Sequence, residues 1–135
     1  MDPDEIYAVE ADIFAPCAMG AVLNDTSVAD LRSETVGGAA NNQLAREEHG
    51  EQLRARGILY ALDFVINAGG MIRVASEREC YDEEVVKRGV EGIAHTLHAI
   101  FERAEADGVF TQKAALRLAH ARLVRAGSEK QSLVA

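Results

Sequence analysis

Neutral amides among small residues, more than titratable groups, carry the chemistry this sequence suggests. In Gly37–Gly38–Ala39–Ala40–Asn41–Asn42 two asparagines close a run of small residues, and Asn67 stands just before Ala68–Gly69–Gly70. A side-chain amide offers a donor and an acceptor together, which suits a carboxamide or a ribose better than a phosphate. Asparagine also accepts left-handed turns and caps helices, so spacing alone leaves two readings open, a polar binding edge or turn chemistry. Cys17 follows Pro16, but nothing nearby in sequence activates its thiol, and a structural cysteine near a loop is the simpler reading. His95 and His98 have the i, i+3 spacing of two metal ligands; without a carboxylate or cysteine partner they read as helix-surface histidines. His49 and His120 are isolated. Gly89 and Gly92 suit close helix packing. No metal site is expected.

These residues need a scaffold that brings distant loops together. The apolar run at 12–15 ends at Pro16 and suits a buried strand. Thr26 or Ser27 is expected to cap a short helix reaching Leu31, and a second strand is expected over Thr35–Ala39. Helical spacing runs from Glu47 to Arg56, with Gly57 as its stop, and residues 58–61 form a third strand. Strands alternating with helices predict an α/β fold with an at least partly parallel sheet. Asp63 opens a further element, and Ala68–Ser76 is expected to be mainly helical. Glycine costs roughly 1 kcal/mol relative to alanine there, so Gly69 and Gly70 point to close approach by a ligand or another backbone. The strongest helix is Asp82–Ala106, where Val86, Val90, Ile93, Leu97, Ile100, Phe101 and Ala104 make one stripe. Asp82 caps it and Gly108 ends it. Thr111 is expected to cap a last helix that stops before Gly127, leaving a disordered tail. In a parallel sheet the loops after strands gather at one edge, where α/β proteins bind ligands. Pro16–Cys17–Ala18, Asn41–Asn42 and Asn67 each follow such a run.

Composition narrows the function classes. The 135 residues fit one domain, and 48% are hydrophobic, as in globular proteins. No window approaches a membrane span and the N-terminus lacks signal-peptide features, so a cytoplasmic protein without a membrane partner is expected. With 22 acidic against 14 basic residues the net charge is −8, which disfavours nucleic-acid binding. Cys17 and Cys80 read as reduced thiols.

The longer motifs ADIFAPCAMGAVLND, GGAANNQL and RGILYALDFVINAGGMIRVASE, with the long helix behind them, resemble the amino-acid dehydrogenases of glutamate, leucine, phenylalanine and valine. The resemblance is closest to the leucine/valine branch and runs to about Arg125. It implies the second half of a Rossmann NAD-binding domain over residues 1–80, with a short parallel sheet. Long C-terminal helices of the same unit follow over 81–126, then a tail over 127–135. The implied reaction is NAD-dependent oxidative deamination of a branched-chain L-amino acid to a 2-oxo acid. By the resemblance, Pro16, Cys17 and Ala18 pass the nicotinamide mostly through backbone groups, and Asn41 and Asn67 contact cofactor. Met71 and Val74 line the substrate's side-chain pocket. Apolar residues there favour an aliphatic substrate over glutamate, whose carboxylate needs a polar partner. Met71 stands where relatives often carry valine.

The family's catalytic lysines and aspartate have no counterpart here, and neither does the GxGxxG turn that cradles the pyrophosphate. Lys87, Lys113 and Lys130 stand in helical or tail contexts. The expectation is therefore an interior stretch of a longer enzyme, arising from a truncated reading frame, a mis-set start codon or a degraded relative, and inactive alone. With the strand order 3-2-1-4-5-6, the first strand here becomes a bare edge prone to self-association. A homo-oligomer, or association through that edge, is expected. The alternative from another class is a non-catalytic interaction or assembly module that pairs through the open edge.

Overall fold

The three apolar runs form three short parallel strands joined by helices. The computed structural model describes residues 3–78 and 81–132. After a 3-10 helix over Pro3–Ala8 come β1 (Ala11–Phe14), α1 (Asp25–Asp30), β2 (Ser33–Val36), α2 (Glu48–Ala55) and β3 (Leu59–Tyr60). Four helices complete the chain: α3 (Asp63–Ile66), α4 (Gly69–Glu77), α5 (Glu83–Asp107) and α6 (Thr111–Ser132). The sheet order is β1-β2-β3. Ile13 pairs with Thr35, and Thr35 with Leu59, so β2 is central and all three strands point the same way. This is the short parallel α/β sheet expected from the alternation of strands and helices.

Local chemistry sets the boundaries. The cap of α1 is Asn24, not Thr26 or Ser27: its side-chain oxygen accepts the N–H groups of Thr26 and Ser27, and the Ser27 hydroxyl accepts the Asn24 N–H in return. β2 begins and ends earlier than expected because Gly37 and Gly38 belong to the loop. A β-carbon on Gly38 would lie 2.2 Å from the Pro16 carbonyl oxygen, so only glycine lets these two turns stack. Asp82 caps α5 through the N–H groups of Glu84 and Val85, and left-handed Gly108 ends it, both as expected. The α5 stripe is covered unevenly: Ile100 and Ala104 are buried, whereas Val90 is exposed. Near its start, Gly89 takes the side chain of Ile72 from α4. α6 begins at Thr111 and runs through Gly127 to Ser132, in place of the expected tail. One glycine costs about 1 kcal/mol in a helix, and the Glu129–Lys130–Gln131 run behind it consists of good helix formers. Cys80 and the last tail residues, 133–135, lie outside the described residues.

One apolar cluster joins the sheet to the C-terminal helices, with Leu23, Leu53 and Tyr60 meeting Ile100, Phe110 and Ala114. Phe110 lies directly on Gly50 of α2, where an added β-carbon would fall 1.9 Å from the ring. Among the described residues, no helix is long and apolar enough to cross a membrane.

Candidate functional site

Because the strands are parallel, the loops after β1, β2 and β3 leave from one edge of the sheet, and backbone hydrogen bonds lace them together. Gly37 N–H donates to the Phe14 carbonyl (3.0 Å), Ala40 N–H to that of Pro16 (2.9 Å) and Ala21 N–H to that of Asn42 (2.7 Å). From the third loop, Asn67 reaches across: its Nδ2 donates to Asn41 Oδ1 at 2.7 Å and to the Ala39 carbonyl at 3.3 Å. Only an NH2 group can face a carbonyl oxygen, so the Ala39 contact fixes the orientation of the Asn67 amide and, through it, that of Asn41. Asn41 Nδ2 and Asn67 Oδ1 are left as a neighbouring donor and acceptor at a solvent-facing surface. A primary carboxamide carries the matching acceptor and donor.

The two readings of the asparagines divide by residue. Asn42 is left-handed, with φ 51°, and serves the turn. Asn41 is not among the left-handed residues, and Asn67 closes α3 at φ −93°, so their side chains serve something other than strained backbone. Of the first turn, Pro16 is buried with its carbonyl engaged, whereas Cys17 and Ala18 are exposed. On α4, Ile72 packs toward α5, while Met71 and Val74 face outward at 74% and 55% exposure. Gly70 has open space where a β-carbon would stand, and Gly69 meets only Val90 at 3.8 Å.

Two residues that sequence reasoning passed over support this edge. Gln43 is fully buried, and its Nε2 donates to the carbonyls of Gly38 (2.8 Å) and Ala40 (2.9 Å). Asp63 is 9% exposed; its Oδ2 accepts Gln43 N–H at 3.0 Å and its Oδ1 accepts Phe64 N–H at 2.8 Å. Asp63 is an acid between two apolar runs, and a buried carboxylate requires donors, but the sequence does not say that its donor is the backbone of Gln43, 20 residues away. Burial, and then the Asp63 carboxylate, push the Tyr60 phenol well above its ordinary value of 10.0.

The remaining titratable groups stand elsewhere. His49 is fully buried: its Nδ1 accepts the Arg46 N–H (3.0 Å), so the proton sits on Nε2, 3.1 Å from Asp25 Oδ1. Arg46 also grips Asp25 at 2.7 Å; that guanidinium first, and His49 second, hold the carboxyl below its ordinary 3.8. This cluster ties α1 to α2. His95 and His98 are exposed, and His98 does have a carboxylate neighbour, Glu102 at 3.4 Å. No group of three potential metal ligands occurs among the described residues. The cleft bordered by Ile58, Phe101, Val109 and Phe110 lies beside β3 and includes neither Asn41 nor Asn67. The amide pair sits on open surface.

Comparison with known proteins gives this edge a context. The glutamate/leucine/phenylalanine/valine dehydrogenase family matches residues 1–130. The chain is 50% identical over 121 residues to leucine dehydrogenase of Thermoactinomyces intermedius, covering 90% of this chain and 33% of that protein. It is 46% identical to L-tryptophan dehydrogenase of Nostoc punctiforme, over 100% of this chain and 38% of the relative. The crystal structure of that tryptophan dehydrogenase superimposes with a TM-score of 0.89 at 49% identity, over 91% of this chain and 38% of the other. The hetero-hexameric glutamate dehydrogenase of Thermus thermophilus, in its Leu-bound form, gives 0.74 at 25% identity, over 91% and 31%. The chain thus spans about a third of the length of the relatives it matches.

Proposed function

The chain belongs to the glutamate/leucine/phenylalanine/valine dehydrogenase family, and from that premise we propose that it supplies the nicotinamide end of an NAD site and the aliphatic wall of an amino-acid pocket. The observation that carries this is the Asn67–Asn41 hydrogen bond at the strand ends, which leaves one amide donor and one amide acceptor free for a carboxamide. Cys17 and Ala18, both exposed, belong to the first loop of the same edge. Pro16 supports the edge from below, because its carbonyl holds Ala40.

Met71 and Val74, one helical turn apart on α4, present an exposed apolar surface, and Gly70 on the same helix has open space where a β-carbon would stand. A branched aliphatic side chain fits that surface; a carboxylate placed there would lose hydration without gaining a partner. Bound NAD supplies the acceptor for the hydride that leaves the substrate α-carbon. This chain's residues orient the carboxamide, shield one side from water and select the side chain. The family's lysine chemistry, which deprotonates the amine, has no counterpart among the motifs of this chain, so the chain alone binds without turnover.

A second reading rests on a different observation. Ile13 of the edge strand β1 is 60% exposed, and β1 has no partner on its outer side among the described residues. A module that assembles through this edge, as a homo-oligomer or with a relative, uses that surface whether or not the amides bind cofactor. Calorimetry with NAD separates the two. Weak binding to the chain that is abolished by Asn67→Ala supports the cofactor site. Absence of binding, or binding that is indifferent to Asn67, rejects it in favour of assembly.

A further inference from the structure

The Asn41–Asn67 bond joins two surface side chains from loops 26 residues apart in sequence. Exposed amides exchange such bonds with water at almost no net gain, so this contact cannot itself hold the loops in register. Something buried must do so. Asp63 and Gln43 lie directly beneath and reach both loops. Gln43 is two residues beyond Asn41, and its side chain ties down the carbonyls on either side of Ala39. The Gln43 N–H ends on the Asp63 carboxylate. Asp63 in turn opens α3, and its own carbonyl accepts the Asn67 N–H at 3.0 Å. The connection from Asn41 through Gln43 and Asp63 to Asn67 is thus continuous, its two middle members are buried, and at its centre are charge-assisted hydrogen bonds, the stronger kind.

We propose that Asp63 and Gln43 are positioning residues that hold Asn41 and Asn67 at hydrogen-bonding distance and so preset the donor–acceptor pair before any ligand arrives. The proposal rests on the assignment of those two amides to a carboxamide-bearing cofactor, but its geometric core is independent of the ligand. Gln43 also explains why one acceptor is sacrificed. With Nε2 facing two carbonyls, its buried Oε1 is left without a partner, a cost that fits a residue kept for where it holds the loop.

The test is nuclear magnetic resonance of the full, 15N-labelled chain without ligand, recorded well below the unfolding midpoint. Both Nδ2 protons of Asn67 are donors, so both signals lie downfield of free asparagine. In Asp63→Asn, one of the two N–H groups facing the carboxylate meets an NH2 instead. The Asn67 signals are then expected to collapse to free values, and its side-chain exchange to rise at least about tenfold. Should Asp63→Asn fail to fold, Gln43→Met serves. It keeps the volume and removes the orphan oxygen together with both donors, and the same collapse is expected. A purely structural role lowers the midpoint without singling out Asn67. Unchanged Asn67 signals in either folded variant overturn the proposal. Nicotinamide mononucleotide added to the unsubstituted chain tests the ligand assignment separately: no binding there with collapsed signals in the variants removes the cofactor reading and keeps the positioning role.

Discussion

The two edges of one three-stranded sheet are finished in opposite ways. At β3 the chain closes its own edge. The Thr111 hydroxyl donates to the Tyr60 carbonyl at 3.0 Å, and Phe110 stacks on Tyr60 with ring centroids 5.8 Å apart before reaching Gly50. At β1 only Phe14 is covered, by an edge-on contact with Tyr7 at 5.4 Å, and Ala11, Asp12 and Ile13 face outward. An edge closed by buried hydrogen bonds and aromatic packing serves folding. An edge left open with an apolar residue on it is a template for another strand. The carboxyl ends of the strands lie between these extremes, with buried backbone lacing below and free amide groups above.

Substitutions that act on one edge only sharpen this contrast. The largest effect is expected from Phe110→Ala, which empties the space over Gly50 and costs about 3–5 kcal/mol in urea unfolding. Thr111→Val leaves the buried Tyr60 carbonyl without its donor, and about 1–2 kcal/mol is expected by the same measurement. One tie between α1 and α2 is electrostatic and pH-dependent. Asp25 has a folded value lowered by Arg46 and then His49, so its contribution is present above the ordinary 3.8 and lost as pH falls through the lowered value. Melting curves of Asp25→Asn and the unsubstituted chain should therefore differ at neutral pH and converge as the pH falls through the lowered Asp25 value. The smallest stability change belongs to the open edge. Ile13→Lys is expected to stay within about 0.5 kcal/mol while reducing self-association in sedimentation. An Ile13→Lys penalty as large as that of Phe110→Ala would abolish the contrast.

Much of this fold was legible because it rests on local patterns. Gly57 and Gly108 stop their helices at left-handed positions, and Asp82 starts α5, since caps and stops act within a few residues. Boundaries failed where distant backbone intervened. β2 ends before Gly37 because Gly38 stacks on Pro16, a contact no window around residue 37 contains. The site was half legible. Asn41 and Asn67 stood out by type and by motif resemblance, and the structure brings them together. Their buried supports were not paired from sequence, because Gln43 and Asp63 are 20 residues apart. His49 looked isolated for the same reason: its partner Asp25 is 24 positions away.

The central claim is that this edge carries the nicotinamide half of a dinucleotide site. The most direct measurement is a titration of the 15N-labelled chain with nicotinamide mononucleotide and, separately, with adenosine monophosphate. The account predicts that the first moves the side-chain signals of Asn41 and Asn67 and the backbone signals of Cys17 and Ala18, while the second leaves them in place. Equal shifts with both nucleotides, or shifts with adenosine monophosphate alone, would contradict it.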